Sequence, residues 1–446
     1  MTPALWHGTP VRLRTSWIAE VTGGSVVGPD VEARGASNDS RTMAGGELFV
    51  ALLWNQDGHD FIEDALRRGA PAYLTARPPA GGTAVVVGDT AVALLDLGRG
   101  ARRRLPDRVV GVTGSVGKTS VKDLLAAALA PTFRMAASAG SFNNEFGVPL
   151  TLLNAADDAE AVVVEMGARG PGHVALLCDV AAPTIAVVTQ VAAAHTAVMG
   201  DLDAIARSKG ELVEALPSKG TAVLNAEDPR VAAMAARTSA AVVRFGAGGD
   251  VVAEDVRLDD ELRPTFRLRT PAGDADVRLG VAGRHQVDNA LAAAGAALAA
   301  GAPVESVAEG LGAARLSPMR MALGRSPSGA VVLNDAYNAN PASMAAALRA
   351  LAAVPARRRI AFLGTMAELG ERAAAEHREV AALAAELGVQ VVAVAEPAYG
   401  VEVVPDVDAA AARARDLGLG DGDAVLVKAS RVARLERLAD ALLAAG

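Results

Sequence analysis

The sequence predicts an α/β protein of three domains with mostly parallel sheets. Its 446 residues correspond to about three domains at roughly 150 residues each. Hydrophobic residues make up 51% of the chain, which is enough to bury large cores. Apolar runs of strand length alternate with helical patterns, as is typical of βαβ units. We therefore expect an N-terminal α/β domain at residues 1–82, a central phosphate-loop domain at 83–315 and a C-terminal Rossmann-like domain at 316–446.

The N-terminal region combines short strands with one helix. Apolar runs predict strands at residues 25–27, 48–51 and 72–75, and a helical pattern covers 61–68. Residues 77–83 are rich in proline and glycine, which indicates a linker. A small α/β unit that ends before the next strand is therefore expected.

The central region shows the clearest alternation. Strands are predicted at residues 83–87, 108–112, 161–165, 184–189 and 221–225. Helices are predicted at residues 90–102, 124–130, 173–180 and 287–301. Residues 251–281 indicate an antiparallel excursion. Because helices separate most of the apolar strands, the main sheet is expected to be mostly parallel.

The C-terminal region repeats this alternation on a smaller scale. Strands are predicted at residues 330–333, 359–363, 389–395 and 424–427. Helices are predicted at residues 343–352, 373–387, 407–417 and 432–443. This order predicts a second, smaller parallel α/β sheet.

Composition and charge exclude several classes of function. Lys and Arg number 43 against 51 Asp and Glu, which gives a net charge of −8, and aromatic residues are only 3%. Both values argue against nucleic-acid or anionic-membrane partners. The single cysteine, Cys178, excludes an internal disulfide and a cysteine-based zinc cluster. Residues 1–18 lack an apolar signal region, and the most apolar stretch, 290–304, is too short to span a membrane. We expect a cytoplasmic, monomeric protein.

The strongest local signal lies at residues 108–120, where a buried strand leads into a glycine-rich turn and a helix. Gly114 and Gly117 let backbone amides approach an anion, and these amides together with the helix N-terminus bind phosphate. Lys118 is placed to reach the terminal phosphates, and Thr119 offers a hydroxyl to Mg²⁺. This combination favours nucleotide binding over an ordinary strand-to-helix turn. The predicted ATP-binding loop consists of Gly114, Ser115, Val116, Gly117, Lys118, Thr119 and Ser120.

Three further residues are candidates for the same crevice. Glu165 ends a buried strand, and ligands of parallel sheets bind beyond the carboxyl ends of the strands. Two interpretations of Glu165 are open: it is a metal ligand, or it is a solvated carboxylate at the end of a strand. His195 follows another strand, although a lone histidine is more often structural. Lys209 lies at a polar helix start, and its pattern alone favours a surface lysine.

Taken together, the motifs match those of a known protein family. The chain resembles the Mur ligases, ATP-dependent amide-forming enzymes of peptidoglycan precursor synthesis, and within them the branch that adds D-alanyl-D-alanine. Three motifs carry this branch most clearly: SFNNEFGVPL at 141–150, DAYNANP at 335–341 and MAELGE at 366–371 with His377. Further matching segments are residues 39–41, 46–52, 57–61, 114–119, 165–169 and 283–290. The resemblance covers nearly the whole chain.

The resemblance assigns expected roles. It implies that two Mg²⁺ ions are held by Thr119, Glu165, His195 and a Lys209 that CO₂ has carbamylated. It implies that ATP is bound outside the loop by Asn289, Arg320, Asp335 and Asn338. It implies that Ser40 and Arg41 hold UDP in the N-terminal domain and that Asn143 and Asn144 touch the muramoyl-peptide. The expected catalytic residues are Lys118, Glu165, His195, Lys209 and Arg320.

The implied reaction joins D-alanyl-D-alanine to the carboxylate of UDP-N-acetylmuramoyl-tripeptide through an acyl phosphate, with ADP and phosphate as products. The sequence departs from the family's usual residues at Gln190, Gln286, Met319, Asn334, Thr365 and Ala429. These departures leave open a paralogue that joins a different carboxylate and amine in a secondary-metabolite pathway.

Two more distant functions compete with this reading of the motifs. A nucleotide-binding regulator without ligase activity is disfavoured because Lys118, Glu165 and Lys209 are all present. A folylpolyglutamate-synthetase-like ligase is disfavoured because of the 335–341 motif and the N-terminal domain.

Overall fold

The N-terminal part of the chain is built on a five-stranded sheet. The computed structural model describes residues 10–79, 81–192 and 200–444. The first strands are β1 (Arg12–Arg14), β2 (Ser25–Val27), β3 (Glu32–Arg34), β4 (Ala36–Ser37), β5 (Leu48–Val50), β6 (Tyr73–Thr75) and β7 (Ala84–Val86). The first helices are α1 (Thr15–Thr22), α2 (Ile62–Arg67) and α3 (Thr90–Arg102). The sheet has the order β2-β7-β6-β5-β4, and β4 to β7 run parallel.

Strand β7 pairs inside this first sheet. The sequence pattern places it after a linker, at the start of the central region, but β7 pairs with both β2 and β6. The proline- and glycine-rich segment before it therefore connects two strands of one sheet. Local composition shows a turn there, whereas strand pairing depends on residues distant in sequence.

The central part is a parallel six-stranded sheet with helices on both faces. Its strands are β8 (Val109–Thr113), β9 (Met135–Ala137), β10 (Ala161–Glu165), β11 (Ile185–Val188), β12 (Thr221–Asn225) and β13 (Ala241–Phe245), in the order β13-β12-β11-β8-β10-β9. Its helices are α4 (Lys118–Leu129), α5 (Gly147–Leu153), α6 (His173–Ala181), α7 (Leu202–Glu214), α8 (Pro229–Ala232), α9 (Gln286–Ala299) and α10 (Val304–Ala313). The expected antiparallel excursion is a three-stranded sheet of β14 (Val252–Leu258), β15 (Pro264–Thr270) and β16 (Gly273–Arg278).

The central strands are buried on both faces, which explains their unbroken apolar runs. Val109 and Val162 point into one core, whereas the next residues, Val110 and Val163, point into the other. The first core also holds the buried thiol of Cys178. Strand β8 lies between β10 and β11, so the chain crosses to both sides of it. Such a reversal of strand order leaves a crevice beyond the carboxyl ends of the strands.

The C-terminal part is a second six-stranded sheet. Its strands are β17 (Ala322–Arg325), β18 (Val331–Asn334), β19 (Arg358–Leu363), β20 (Gln390–Val394), β21 (Glu402–Val404) and β22 (Asp423–Lys428), in the order β17-β18-β22-β19-β20-β21. Its helices are α11 (Pro341–Ala353), α12 (Ala373–Glu386), α13 (Val407–Asp416) and α14 (Glu436–Ala444). All neighbouring strands are parallel except β17 and β18. The predicted α/β fold with parallel sheets is confirmed.

Short 3₁₀ helices complete the described structure, at Ser40–Thr42, Gly58–Phe61, Ala233–Arg237, Gly370–Arg372, Pro397–Tyr399 and Arg431–Ala433. Among the described helices, none is long and apolar enough to cross a membrane.

Candidate active site at the sheet edges

The phosphate loop connects β8 to α4 as the sequence predicts. Gly114 and Gly117 have φ angles of 150° and 85°, which favour glycine. A Cβ added at Gly117 would lie 2.5 Å from Asn289 Oδ1, so the loop needs glycine for packing as well. Lys118 Nζ donates to the carbonyl of Gly114 at 2.8 Å, which folds the side chain back over the loop. Burial lowers the pKa of Lys118, and the charge of Glu165 partly opposes this shift.

Glu165 ends β10 at the same edge of the sheet, because β8 and β10 are parallel neighbours. The residue is only 1% exposed. Its Oε1 accepts a hydrogen bond from Asn143 Nδ2 at 2.8 Å. Its Oε2 is buried without a hydrogen-bond partner in the described structure. A buried carboxylate oxygen that lacks a partner is costly, and it fits a site that a cation completes.

Lys209 is buried, so the surface position that its local pattern favours is wrong. The residue lies on α7, which packs against β8, β11 and α6. Lys209 is only 3% exposed. The side chain of Lys209 makes no hydrogen bond or ion pair with another described residue. Burial, with a smaller effect of Lys118, holds the pKa of Lys209 well below its ordinary value. His195, the other candidate on this side, lies outside the described residues.

Arg320 reaches the phosphate loop from the C-terminal part. Its Nη2 donates to Thr119 Oγ1 at 3.0 Å, and its guanidinium lies 4.1 Å from the ring centroid of Tyr337. Its Nε is buried without a partner in the described structure. Met319 and Met321, on either side, have φ angles of 60° and 50°. Such left-handed backbone is strained for these residues and indicates that the surroundings fix the position of Arg320.

A buried carboxylate anchors the segment that leads to Arg320. Asp123, on the phosphate-loop helix, accepts a hydrogen bond from Ser317 N at 2.7 Å. The same carboxylate pairs with Lys122 at 2.5 Å, and both side chains are almost fully buried. The helix that follows the loop is therefore tied directly to the start of the C-terminal part.

Asp335 and Lys428 form a second charged pair, on the C-terminal side of the crevice. Asp335 follows β18, and Lys428 ends the neighbouring parallel strand β22. Lys428 Nζ donates to Asp335 Oδ2 at 2.5 Å and to the carbonyl of Asn338 at 2.9 Å. Asp335 Oδ1 accepts from Met321 N at 3.0 Å. Burial lowers the pKa of Lys428, and the charge of Asp335 opposes the shift.

Lys428 is missing from the residues that the sequence singled out. It stands at the end of a buried apolar strand, as Glu165 does. The same strand-end signal could therefore have found it.

The structure brings most of the predicted residues to one cavity of about 420 Å³. Asn289 faces Gly117 and donates from Nδ2 to Gln286 Oε1 at 2.8 Å. A neighbouring cavity of about 280 Å³ extends from Val116 and Asn289 toward Asn225. The predicted residues that line the larger cavity are Ser115, Val116, Gly117, Lys118, Thr119, Ser120, Asn143, Asn144, Glu165, Lys209, Asn289, Arg320, Asp335 and Asn338.

Two of the predicted polar side chains make local bonds. Asn144 Oδ1 accepts from Gly147 N at 2.8 Å and so caps the start of α5. Asn338 Oδ1 accepts from Ala339 N at 2.9 Å. Their present bonds are structural, and both residues still face the crevice.

Ser40 and Arg41 lie apart from this cavity, at the edge of the N-terminal sheet. They follow β4, and the parallel strands β5 and β6 end at the same edge. The carboxylate of Asp39 accepts from Arg41 Nε at 2.8 Å and from Nη2 at 2.7 Å. Ser40 is buried, and its hydroxyl donates to Asp64, which lowers the pKa of that carboxyl. The N-terminal and central parts thus each present a polar strand edge.

Comparisons with known proteins agree with this geometry. The Mur ligase middle domain family matches residues 112–297, and the Mur ligase, glutamate ligase domain family matches residues 319–431. The UDP-N-acetylmuramoyl-tripeptide–D-alanyl-D-alanine ligase of Mycobacterium tuberculosis is 41% identical, over 97% of this chain and 98% of that protein. The chain belongs to the Mur ligase family.

Two solved Mur ligase structures superpose closely on this chain. One is the UDP-N-acetylmuramoylalanyl-D-glutamyl-2,6-diaminopimelate–D-alanyl-D-alanyl ligase of Acinetobacter baumannii, with 29% identity and a TM-score of 0.85 over 97% of this chain and 98% of that chain. The other is the MurF ligase of Thermotoga maritima in complex with ADP, with 30% identity and a TM-score of 0.79 over 91% and 96%. Both share the Mur ligase fold along almost the whole chain.

Proposed function

We propose that this chain is an ATP-dependent ligase that joins D-alanyl-D-alanine to the carboxylate of UDP-N-acetylmuramoyl-tripeptide, in peptidoglycan precursor synthesis. The observation that carries the proposal is the alignment of nearly the whole chain with ligases of that name, with a phosphate loop opposite a buried carboxylate. The paralogue with a different acid and amine is not favoured.

The reaction requires activation because a carboxylate is a poor electrophile. An oxygen of the tripeptide carboxylate attacks the terminal phosphorus of ATP, and ADP leaves. The amine of D-alanyl-D-alanine then attacks the acyl carbon of the acyl phosphate, phosphate leaves, and the amine loses a proton. Lys118 and Arg320 are placed to stabilise the charge that develops on the transferred phosphoryl group. The crevice is lined by residues of both the central and the C-terminal part, so it is placed to hold the reactants together.

Mg²⁺ fits the observed donors. The unpartnered Oε2 of Glu165 and the hydroxyl of Thr119 are hard oxygen ligands, which Mg²⁺ prefers. We assign two Mg²⁺ ions to Thr119, Glu165, His195 and a carbamylated Lys209. When bound, Mg²⁺ neutralises phosphate charge and polarises the transferred group.

The environment of Lys209 supports the proposed carbamylation. The modification forms when a neutral amine attacks CO₂ and loses a proton, and the lowered pKa of Lys209 favours the neutral amine. The product is an anion beside the two cations Lys118 and Mg²⁺, whereas an ammonium there would repel both. The test is a carbon-13 NMR spectrum of the protein in labelled bicarbonate. A carbamate signal present in the wild type and absent in Lys209→Met supports the assignment, and identical spectra would reject it.

We further propose a division of labour among the three domains. The N-terminal unit, with β7 added to residues 1–82, binds UDP through Ser40 and Arg41. The unit that ends near residue 315 binds ATP, and the unit from residue 316 completes the ATP site through Arg320, Asp335 and Asn338. The hydrogen bond from Ser317 to Asp123 connects residues on the two sides of this proposed boundary. We propose that the enzyme works as a cytoplasmic monomer.

A substrate panel tests the function directly. The purified enzyme is given ATP and Mg²⁺ with UDP-muramoyl-tripeptide and D-alanyl-D-alanine, and phosphate release is measured together with the coupled product. Each substrate is then omitted or replaced by another acid or dipeptide. We expect phosphate release only with the complete set. Turnover only with a different acid and amine would support the paralogue, and release of phosphate without any acid would support a regulatory ATPase.

A further inference from the structure

An exposed aromatic cluster with an arginine lies where the N-terminal and central parts meet. We call Trp54, Phe146 and Arg169 the Trp54 cluster. Trp54 is 57% exposed, although it is a large apolar side chain. The rings of Trp54 and Phe146 meet edge to face at 5.2 Å between centroids. An exposed apolar group of this kind beside a polar crevice is typical of a ligand-binding surface.

Arg169 is held in this cluster by two contacts of different kinds. Its guanidinium lies 5.1 Å from the ring centroid of Trp54, within cation–π range. Its Nη1 donates to Glu145 Oε1 at 3.0 Å. His173 fixes the other oxygen of Glu145 through a contact of 3.2 Å to Nε2, while its Nδ1 accepts from Arg169 N at 3.1 Å. The arginine is therefore oriented before any ligand arrives.

The guanidinium retains unused donors. No described residue accepts a hydrogen bond from Nε or Nη2 of Arg169, and its side chain is 52% exposed. A guanidinium offers five N–H donors and binds a carboxylate through two parallel bonds. One edge of the group is therefore free for a second carboxylate while Glu145 occupies Nη1.

The cluster joins a residue that follows the N-terminal strand edge to a residue that lines the crevice at the central edge. Trp54 follows β5, at the edge where Arg41 follows the parallel strand β4. Its loop is fixed by Asp57, which bonds to His59 and Arg77. On the other side, Arg169 lines the crevice together with Glu165. A substrate that is bound through its UDP group at the first edge and reacts at the second edge extends along this cluster.

We propose that Arg169, oriented by Trp54 and Glu145, determines specificity by binding a carboxylate of the peptide that the reaction leaves free. The inference rests on the proposed function. The related Acinetobacter enzyme is named for a substrate with D-glutamyl and 2,6-diaminopimelate residues, and such a peptide keeps carboxylates besides the one that reacts. Either the D-glutamyl carboxylate or the second diaminopimelate carboxylate supplies the chemistry that a free guanidinium edge recognises.

The test is a set of steady-state measurements on Arg169→Gln and Arg169→Lys. Arg104→Gln is the matched control, because Arg104 also lies over a tryptophan, Trp17, and pairs with an aspartate, Asp157. Three peptides are compared: the UDP-linked tripeptide, the same peptide amidated at D-glutamate, and the peptide with lysine in place of diaminopimelate. KM for ATP and for D-alanyl-D-alanine is measured with each enzyme.

We expect Arg169→Gln to raise KM for the unmodified peptide about tenfold or more, as for the loss of a charged hydrogen-bonded pair. KM for ATP and for D-alanyl-D-alanine stays unchanged, Arg169→Lys recovers part of the loss, and Arg104→Gln behaves as the wild type. With the peptide that lacks the recognised carboxylate, the effect of Arg169→Gln disappears, which shows which carboxylate is bound. An equal effect on all three peptides, or none, would overturn the proposal. Failure of the wild type to turn over any of these peptides would instead reject the proposed function.

Discussion

The central edge and the C-terminal edge of the crevice each hold a buried lysine. The two lysines differ in whether the protein supplies a partner for their charge. On the central side, Lys209 is buried with no ion-pair partner among the described residues, and Oε2 of Glu165 and Nε of Arg320 also lack partners there. On the C-terminal side, Lys428 is equally buried but donates to Asp335 and to the carbonyl of Asn338. Both lysines have a lowered pKa, yet only the second has its charge compensated within the protein.

This difference separates ligand-binding polarity from structural polarity. A buried charge without a partner costs several kcal/mol, so a folded protein keeps it only where another interaction offsets that cost. Under the proposed function, phosphate, metal and CO₂ complete the central edge. The C-terminal edge is already complete and holds Met321, next to Arg320, through Asp335.

The largest effect is expected when the compensated pair is broken. Lys428→Met leaves Asp335 charged and without its partner, and removing one member of a buried pair costs about 3–5 kcal/mol. Urea unfolding followed by circular dichroism measures the loss. Adding Asp335→Asn to the same variant should recover part of it, and Lys219→Met, at an exposed position, should change little. An unchanged stability of Lys428→Met would remove the distinction between the two edges.

The next effect concerns the central edge of the crevice, which we call uncompensated because its buried Lys209 has no ion-pair partner among the described residues. Lys118→Ala removes a charged donor aimed at the transferred phosphoryl group, and we expect turnover to fall by about a hundredfold or more. Stability should stay close to that of the wild type, because within the described residues the side chain of Lys118 bonds to a loop carbonyl alone. Phosphate release measures turnover, and a rate near that of the wild type would contradict the assignment of the loop.

The two edges also show how far the sequence reaches. Glu165 and the phosphate loop could be predicted because a buried parallel strand is an unbroken apolar run and its end points into the crevice. Lys428 follows the same rule and could have been found by it. Local patterns thus identify positions at strand ends.

Other features depend on contacts between distant residues. The burial of Lys209 results from the packing of α7 on β8 and β11, and its own helix looks polar in sequence. Asp123 meets Ser317 across 194 positions, and the pairing of β7 with β2 overrides a composition typical of linkers. In each case the deciding contact is absent from the local pattern.

The uncompensated lysine makes a pH-dependent prediction about stability. In the folded protein the pKa of Lys209 lies well below its ordinary value, so unfolding takes up a proton between the two values. Within that window the wild type becomes more stable by about 1.4 kcal/mol for each unit of pH. In CO₂-free buffer, Lys209→Met should therefore be more stable than the wild type at neutral pH, and this gain should shrink toward pH 10. Urea titrations from pH 7 to 10 measure it, and a gain that does not change with pH would show that Lys209 is compensated after all.

The smallest effect is expected at the edge of the N-terminal sheet. Its polar side chains fall between the compensated edge and the uncompensated edge of the crevice. Arg41 is bonded to Asp39 at two points, but its side chain is 81% exposed, and such a surface pair contributes little to stability. Its guanidinium can therefore turn to a diphosphate at little cost. Arg41→Ala should weaken binding of the UDP-linked peptide about tenfold, as for one charged hydrogen bond, and the double variant with Ser40→Ala should weaken it further. Calorimetry with the peptide and with an ATP analogue measures both affinities, and Arg14→Ala, an exposed arginine paired with Asp30, is the control. Equal weakening of both ligands, or of neither, would mean that the Arg41–Asp39 pair is structural, like Lys428 and Asp335, and that UDP is held elsewhere.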